Sequence, residues 1–484
     1  MASTLTRKRF AKNISISILA QAVSVLVGFI LNLVVPKFID EYDYSYWQSY
    51  LLYAQYVGIL HFGLLDGIVL RYSQYDYDEL DKRTVHSQYA GIIAIDVVCA
   101  ILLLLWALFF QSGVNRILSI LLACSICIKI TFSYVSFTFQ TTNRISKYVT
   151  YTIAYRVLYC AFVVACLVSG LGKYYFLCIA DLLAEGISVA CFGLRYSREL
   201  LLGKLLPWRD CISEIKSSIS GGAWLMLSSY AATFLIGFGK MIIQWRWGEL
   251  TFGKISLAFG LSSFILQFVT AVSVVLFPSI KRMKQEQLPK MYSEIRNVLS
   301  LMLFSAMLLY YPGSLILELW LPKYAESIRY LGILFPIMIY TSKVSLLTNN
   351  YLKAYRKEKT MLFINIGMVL FGSALFLICA WVFNNLTVLL LMIVMTIMLR
   401  SVISEIAVIR IVPINLQKDF LIELVMTAVF ILSTTRFGVW GGCLLYAISI
   451  IVYAYIKRAE IRRIFQSISL SRKRAKPHEH LRRE

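Results

Sequence analysis

Two carboxylates in one apolar stretch of the sequence, those of Asp181 and Glu185, are spaced for joint chemistry. Because the two residues stand four positions apart, a helix would place both on the same face. Two acids so placed raise each other's affinity for protons, which is the property that a proton or sodium site requires. The same spacing also suits a structural ion pair with Arg156 or Lys129 on a neighbouring helix. The sequence leaves both interpretations open.

Basic residues also stand inside apolar stretches, where a charge costs at least about 2–3 kcal/mol and therefore usually faces a protein interior or a water-filled cavity. Four of them come from four different stretches: Lys129, Arg156, Lys343 and Arg400. If they converge, they form a cationic cavity suited to a ligand with phosphates or uronic acids, because arginine can bind phosphate through two hydrogen bonds. The alternative is that some of these side chains lie near helix ends and reach the lipid head groups. Lys240, close to the outer end of its stretch, fits that alternative best.

A further pair of opposite charges, Asp66 and Arg71, stands at the end of the second apolar stretch. Local pairing of the two would stabilise the end of a helix. A gating contact is the functional alternative.

No constellation of catalytic or metal-binding residues is visible in the sequence, so we expect no enzyme activity, no bound metal and no cofactor beyond a proton or sodium gradient. The four histidines lack the spacing of metal ligands. Cys124 and Cys127 form a C-x-x-C inside an apolar stretch, where we expect cysteines to be small, buried and inert. The loops contain no phosphate-binding glycine loop and no nucleophile motif.

The composition is that of a membrane protein. Of 484 residues, 59% are hydrophobic and only 15% are charged, whereas about a quarter of a soluble chain is charged. The apolar residues form runs of about 18–24, each long enough to cross a hydrocarbon core of about 30 Å. A spanning segment must satisfy its own backbone hydrogen bonds, so these runs predict helices. The sequence therefore predicts an all-α polytopic membrane protein with about fourteen transmembrane helices.

The predicted spans lie near residues 14–36, 47–70, 87–110, 117–139, 149–170, 174–194, 218–240, 253–279, 297–320, 327–349, 361–383, 386–409, 419–435 and 437–456. The net charge of +22 is concentrated in alternate loops and in the tail. This distribution is typical of segments that face an anionic cytoplasmic leaflet, and it argues against a nucleic-acid partner. Both termini are predicted to be cytoplasmic. The first span follows a basic cluster without a cleavage site, so we expect it to be retained.

The order of spans and loops predicts two pseudo-symmetric lobes of six helices followed by two more. The YSYWQSYLLY sequence at 44–53 and the LTFGKISLAF sequence at 250–259 open spans six apart, as a parallel repeat would. A cytoplasmic linker rich in basic residues, leucines and a tryptophan has the composition of an amphipathic segment on the membrane surface. The predicted parts are the N-terminal lobe 1–194, the linker 195–217, the C-terminal lobe 218–411, two helices in 412–456 and a basic tail 457–484.

Several short sequences carry a resemblance to a known family. They are VPKF at 35–38, FGLLDGIVLRY at 62–72, QTTNR at 140–144 and NNY at 349–351. With these sequences, the chain over about residues 10–456 resembles the Wzx-type O-antigen and polysaccharide repeat-unit flippases of the multidrug/oligosaccharidyl-lipid/polysaccharide (MOP) exporter superfamily.

The resemblance implies a V-shaped bundle that carries a polyprenyl-diphosphate-linked oligosaccharide across the bacterial inner membrane. It implies a cationic lumen, for which Lys129, Arg156, Lys343 and Arg400 are the candidates, and exchange for protons or sodium, for which Asp181 and Glu185 are the candidates. Its partners would be the lipid-linked oligosaccharide, membrane lipids, and the polymerase and chain-length regulator of the glycan pathway.

Two other functions remain as alternatives. A cation-coupled multidrug exporter of the same superfamily usually has a coupling acid in its first span, and no acid stands between Asn13 and Pro36 here. A membrane polymerase or ligase of the glycan pathway usually has a large outer loop, and the predicted outer loops are short.

Overall fold

The computed structural model describes residues 20–142, 144–282, 288–412, 417–458 and 460, without the side chains of residues 265, 267–282, 417 and 418. Within these ranges the regular structure is helical, with no strand. The prediction of an all-α membrane fold is therefore confirmed. The basic N-terminal cluster, Asn143 and most of the basic tail lie outside the described residues.

Fifteen helices of the described ranges position the site. They are α1 (Ala20–Phe38), α2 (Glu41–Ala54), α3 (Leu64–Tyr72), α4 (Lys82–Phe110), α5 (Gly113–Thr141), α6 (Ile145–Val168), α7 (Tyr174–Leu201), α8 (Trp208–Arg282), α9 (Leu288–Trp320), α10 (Ala325–Leu334), α11 (Ile337–Ala354), α12 (Glu358–Phe383), α13 (Leu386–Ile409), α14 (Gln417–Arg436) and α15 (Val439–Ile456).

Ten helices in the described part of the chain are long and apolar enough to cross a membrane, and two bent pairs bring the number to twelve. Helix α8 counts once, although Gly248, with φ +82°, divides it into arms 208–247 and 249–282. Helix α14 covers the predicted span at 419–435. Within the described residues, each of the fourteen predicted spans therefore falls on a helical segment, and the protein is a multi-pass membrane protein.

The second predicted span is bent by 57° where α2 and its following 3-10 turn meet α3. Phe62 and Gly63 adopt φ values of 49° and 87° at this bend, which is the left-handed region that favours glycine. A Cβ atom at Gly63 would also lie 2.5 Å from the backbone nitrogen of Ala223 on α8. Both the turn and the close approach therefore require glycine here.

The described residues separate into two compact units. Unit 1 comprises those up to residue 271 together with 358–389, and unit 2 comprises 272–357 and the residues from 390 onward. Unit 1 has an apolar core that includes Leu64, Ile92, Ile130 and Tyr134. The lobes proposed from the sequence, 1–194 and 218–411, stay a prediction.

The linker between α7 and α8 is held by side chains from the start of α4. Arg83 Nε donates to the carbonyl of Leu205 over 2.9 Å, and the Ser87 hydroxyl accepts from the Leu206 nitrogen over 2.7 Å. The Trp208 side chain remains 76% exposed, as an amphipathic segment at a membrane surface would require.

Candidate functional site

The two acids of α7 lie against one lysine of α5. Lys129 Nζ is 2.8 Å from Asp181 Oδ2 and 2.9 Å from Glu185 Oε2. The carboxylates are buried, with Asp181 1% and Glu185 5% exposed. Since the acids are four residues apart on one helix, they present their oxygens on one face, where a single ammonium reaches both. We call these three residues the Lys129 cluster.

Hydrogen bonds distinguish the two acids of the Lys129 cluster. Asp181 also accepts from the Tyr50 hydroxyl of α2 over 3.0 Å and from the Tyr155 hydroxyl of α6 over 2.6 Å. In the described part of the chain Glu185 has Lys129 as its one donor. Asp181 therefore accepts from three donors and Glu185 from one, so Glu185 is the acid with more acceptor positions left for a further ligand.

The charges of the Lys129 cluster leave room for one more cation. One ammonium and two ionised carboxylates sum to a net charge of −1, and a proton on Glu185 makes the cluster neutral. Its walls are aromatic: the rings of Tyr155 and Tyr159 stack at 6.0 Å, and Trp47 Nε1 donates to the Tyr159 hydroxyl over 3.0 Å. The arrangement can therefore bind and release a proton or a small cation.

Arg156 is an intramembrane cation of unit 1 without an ion pair among the described residues. It lies on α6, its side chain is exposed, and its guanidinium donates to the hydroxyl of Ser24 on α1, a neutral partner. An apolar groove of about 530 Å³ lies beside it. The groove is lined by Val27, Val157, Cys160, Ala161, Val164, Ala165 and Val168.

Lys343 lies in a different environment from the cavity that the sequence predicts for it. Its side chain is 1% exposed, and its ammonium contacts Glu405 of α13 and lies 2.6 Å from Glu423 of α14. Arg296 of α9 lies 2.7 Å from Glu405 and 3.0 Å from both Glu423 and Asp419.

Lys457 completes this group at 2.5 Å from Asp419. We call it the Arg296 network. Its members are Arg296, Lys343, Lys457, Glu405, Asp419 and Glu423. In the buried part of the network three cations face three carboxylates, and the more exposed Glu460 also lies 2.8 Å from Lys457.

The four predicted cations therefore fall into two pairs. Lys129 and Arg156 belong to unit 1, whereas Lys343 and Arg400 belong to unit 2, where Arg400 is buried on α13. Their convergence on one cavity stays a prediction. Sequence reasoning missed both Arg296 and Glu423, because each stands near the end of a predicted span.

Asp66 and Arg71 do not pair with each other, so the predicted helix-end pair is wrong, whereas the gating role stays a prediction. Arg71 donates to Glu214 over 2.7 Å and to the Ser218 hydroxyl over 2.9 Å, both on α8. Asp66 instead lies 3.9 Å from His61. Five residues along a helix turn a side chain by about 140°, so the two point to different sides of α3.

Two minor predictions concern residues of other helices. Lys240 lies with its ammonium 4.8 Å from the centre of the Phe259 ring, on the second arm of α8. Cys124 and Cys127 are both free thiols. Among the described residues no group of histidine, cysteine, aspartate and glutamate could hold a metal ion.

The fold has counterparts among solved structures of membrane proteins. It is similar to the lipid II flippase MurJ in its inward closed conformation (13% identity, TM-score 0.61, covering 92% of this chain and 99% of that one). It is also similar to an inward-facing multidrug resistance MATE family transporter of the MOP superfamily (14% identity, TM-score 0.60, covering 83% and 97%). At these identities the likeness shows the fold alone.

The family follows from the sequence itself. Residues 10–284, more than half of the chain, match the model of the polysaccharide biosynthesis protein family. The chain belongs to that family. No curated protein matches it.

Proposed function

We propose that this protein is a flippase for a polyprenyl-diphosphate-linked oligosaccharide repeat unit of O-antigen or capsule type. It would carry the repeat unit from the cytoplasmic to the periplasmic leaflet of the bacterial inner membrane by alternating access. Membership of the polysaccharide biosynthesis protein family supports the pathway. The likeness of the fold to a lipid II flippase supports a lipid-linked substrate.

The observation that carries the proposal is the exposed guanidinium of Arg156 within a membrane-spanning helix. A guanidinium held by a neutral hydroxyl keeps donors for a diphosphate, which it can bind through two parallel hydrogen bonds. Lys129 cannot replace it, because two carboxylates neutralise its charge. The apolar groove beside Arg156 provides a surface against which an apolar prenyl chain could pack.

The Lys129 cluster is the proposed site of cation coupling. One cation would bind when Glu185 is open to one side of the membrane, and its release on the other side would restore the net charge of −1. The cycle would exchange this cation for the substrate. No enzymatic step is part of the proposal, and the polymerase and chain-length regulator of the pathway are the proteins expected to work beside it.

A multidrug exporter is the second candidate, because the fold is as similar to a MATE transporter as to a lipid II flippase. The two functions differ in what accumulates when the protein is missing. A deletion strain of a flippase accumulates the complete repeat unit on its carrier and loses surface glycan. A deletion strain of a drug exporter keeps normal lipid intermediates and becomes drug-sensitive.

The test is mass spectrometry of polyprenyl-linked oligosaccharides in the deletion strain and in strains complemented with variants. We expect wild type to restore surface glycan and Arg156→Ala to leave the repeat unit on its carrier at normal expression. Arg156→Lys keeps the positive charge but lacks the planar guanidinium that binds phosphate through two hydrogen bonds, so it should restore surface glycan in part. Normal glycan with Arg156→Ala would remove the proposed phosphate site, and unchanged lipids in the deletion strain would remove the flippase.

A further inference from the structure

Asp96 is a buried carboxyl that the proposed transport cycle does not yet use. It is the middle residue of the 29-residue helix α4, fourteen residues from either end. Its side chain is 0% exposed, whereas the adjacent Ile95 and Val97 are 38% and 42% exposed. Asp96 therefore faces the interior of unit 1, at the depth of the membrane core.

Neither carboxylate oxygen of Asp96 has a hydrogen-bond partner among the described residues. Ile92, one turn earlier on the same face, belongs to an apolar core with Ile126 and Ile130 of α5. Such a setting supplies no donor that would stabilise a negative charge.

The titratable groups that face Asp96 are themselves neutral at physiological pH. They are Tyr89, on its own helix, and Cys127, on α5. The Tyr89 hydroxyl is engaged with Thr131 over 2.9 Å. Lys129 follows two residues after Cys127, but its ammonium is bound by Asp181 and Glu185.

An ionised carboxylate at this place would be a buried charge without a counter-charge, which proteins avoid by neutralising the group. We propose that Asp96 is a second proton-binding site of the transporter, occupied in the conformation described and emptied only when water enters between α4 and α5. The ligand is a proton rather than a metal ion, because a metal cation needs several oxygen ligands and Asp96 offers its own two.

The site differs in kind from the Lys129 cluster. There a proton competes with an ammonium for the carboxylates, whereas at Asp96 it meets no competing cation. Asp96 should therefore hold its proton through the part of the cycle in which α4 and α5 stay packed. Its coupling role rests on the proposed transport function, whereas its proton occupancy does not.

Infrared spectroscopy of the purified full-length protein in lipid nanodiscs tests the occupancy without any substrate. We expect a protonated-carboxyl band at neutral pH that is lost in Asp96→Asn. Asparagine has the shape of the protonated acid, so this variant should fold as the wild type does. Glu185→Gln is the matched control and should keep the band assigned to Asp96. A wild-type spectrum without that band, or one that Asp96→Asn leaves unchanged, would overturn the proposal.

Proteoliposomes with a pH-sensitive dye inside test the coupling. The substrate probe is the lipid-linked oligosaccharide extracted from the deletion strain. We expect wild type to move protons with this substrate and Asp96→Asn to move the substrate with about half as many protons per molecule, because the Lys129 cluster still binds its own cation. Unchanged proton flux in Asp96→Asn would overturn the coupling role. No substrate movement by wild type would instead remove the flippase proposal and leave the infrared result standing.

Discussion

Lys129 Nζ lies 2.8 Å from Asp181 Oδ2, although 52 residues separate them along the chain. A second carboxylate on the same face of α7, that of Glu185, takes the other side of the ammonium. The pairing converts two interior acids and a lysine, each costly alone, into one group that can be neutral or singly negative. This relationship decides how variants of the cluster should behave.

Removing the cation of the Lys129 cluster should destabilise the protein. Lys129→Met leaves two buried carboxylates without their counter-charge, at a cost of about 3–5 kcal/mol. The triple variant Lys129→Met/Asp181→Asn/Glu185→Gln removes all three charges and should recover most of the stability but none of the transport. Thermal unfolding in detergent and surface-glycan assays measure the two effects.

Lys173 provides the control for this prediction. Its pair with Asp43 at 3.1 Å is 62% exposed on the lysine side, so Lys173→Met should cost far less stability than Lys129→Met. Equal losses in Lys129→Met and Lys173→Met would contradict the role given to burial.

Lys343 should prove to be a structural cation. Lys343→Met removes one positive charge from the buried part of the Arg296 network, where three cations face three carboxylates, and should reduce the folded yield sharply. Adding Glu423→Gln restores the balance, because one cation and one anion are then missing. We expect the double variant to recover both folding and surface glycan. A double variant that folds but fails to transport would indicate that Lys343 binds the substrate.

Two adjacent glycines of α8 should respond in opposite ways to alanine. A Cβ at Gly222 would lie 2.1 Å from the carbonyl oxygen of Gly63 and 2.2 Å from the nitrogen of Gly67. Gly222→Ala should therefore separate α3 from α8 and cost about 1–3 kcal/mol. Gly221 has no atom within 4 Å of such a Cβ, so Gly221→Ala should be neutral or slightly stabilising. The difference between their unfolding temperatures is the measurement, and equal temperatures would rule out the close contact.

Asp81 should make part of the stability depend on pH. It caps α4 by accepting from the Arg83 nitrogen over 3.1 Å, and a hydrogen bond from the Thr84 hydroxyl lowers the pKa of its carboxyl. A lowered pKa gives stability that is present above the unfolded-state pKa and is lost as the pH falls through the folded-state value. Asp81→Asn still caps the helix but lacks the charge, so it should be slightly less stable than wild type at neutral pH and should lose less stability in acid. Asp81→Ala should cost about 1 kcal/mol at neutral pH. Identical acid profiles for wild type and Asp81→Asn would contradict this.

The positions of the helices could be predicted from the sequence because hydrophobic length is a local property. The pairing of Asp181 and Glu185 with Lys129 was one of two alternatives, since spacing fixes the face of a helix but not its neighbour. Partners such as Arg296 and Glu405 could not be predicted, because 109 residues separate them and nothing near either one marks the other.

The 57° bend between α2 and α3 could not be predicted for a similar reason. Phe62 takes a left-handed φ of 49°, and a phenylalanine at that position gives no sign of a turn. In the sequence, the adjacent Gly63 is equally consistent with close helix packing. The structure shows that it has this role as well, because its backbone lies against Ala223.

The Arg296 network has a consequence for synthesis of the chain. Arg296 and Lys343 enter the membrane before Glu405, Asp419 and Glu423 have been translated, so both cations lack their counter-charges until α13 and α14 follow. We expect a nascent chain that stops after α12 to retain two uncompensated charges among its helices and to be a target for quality-control proteolysis. The late helices would then be required for assembly, and a truncation before them would remove the protein rather than shorten it.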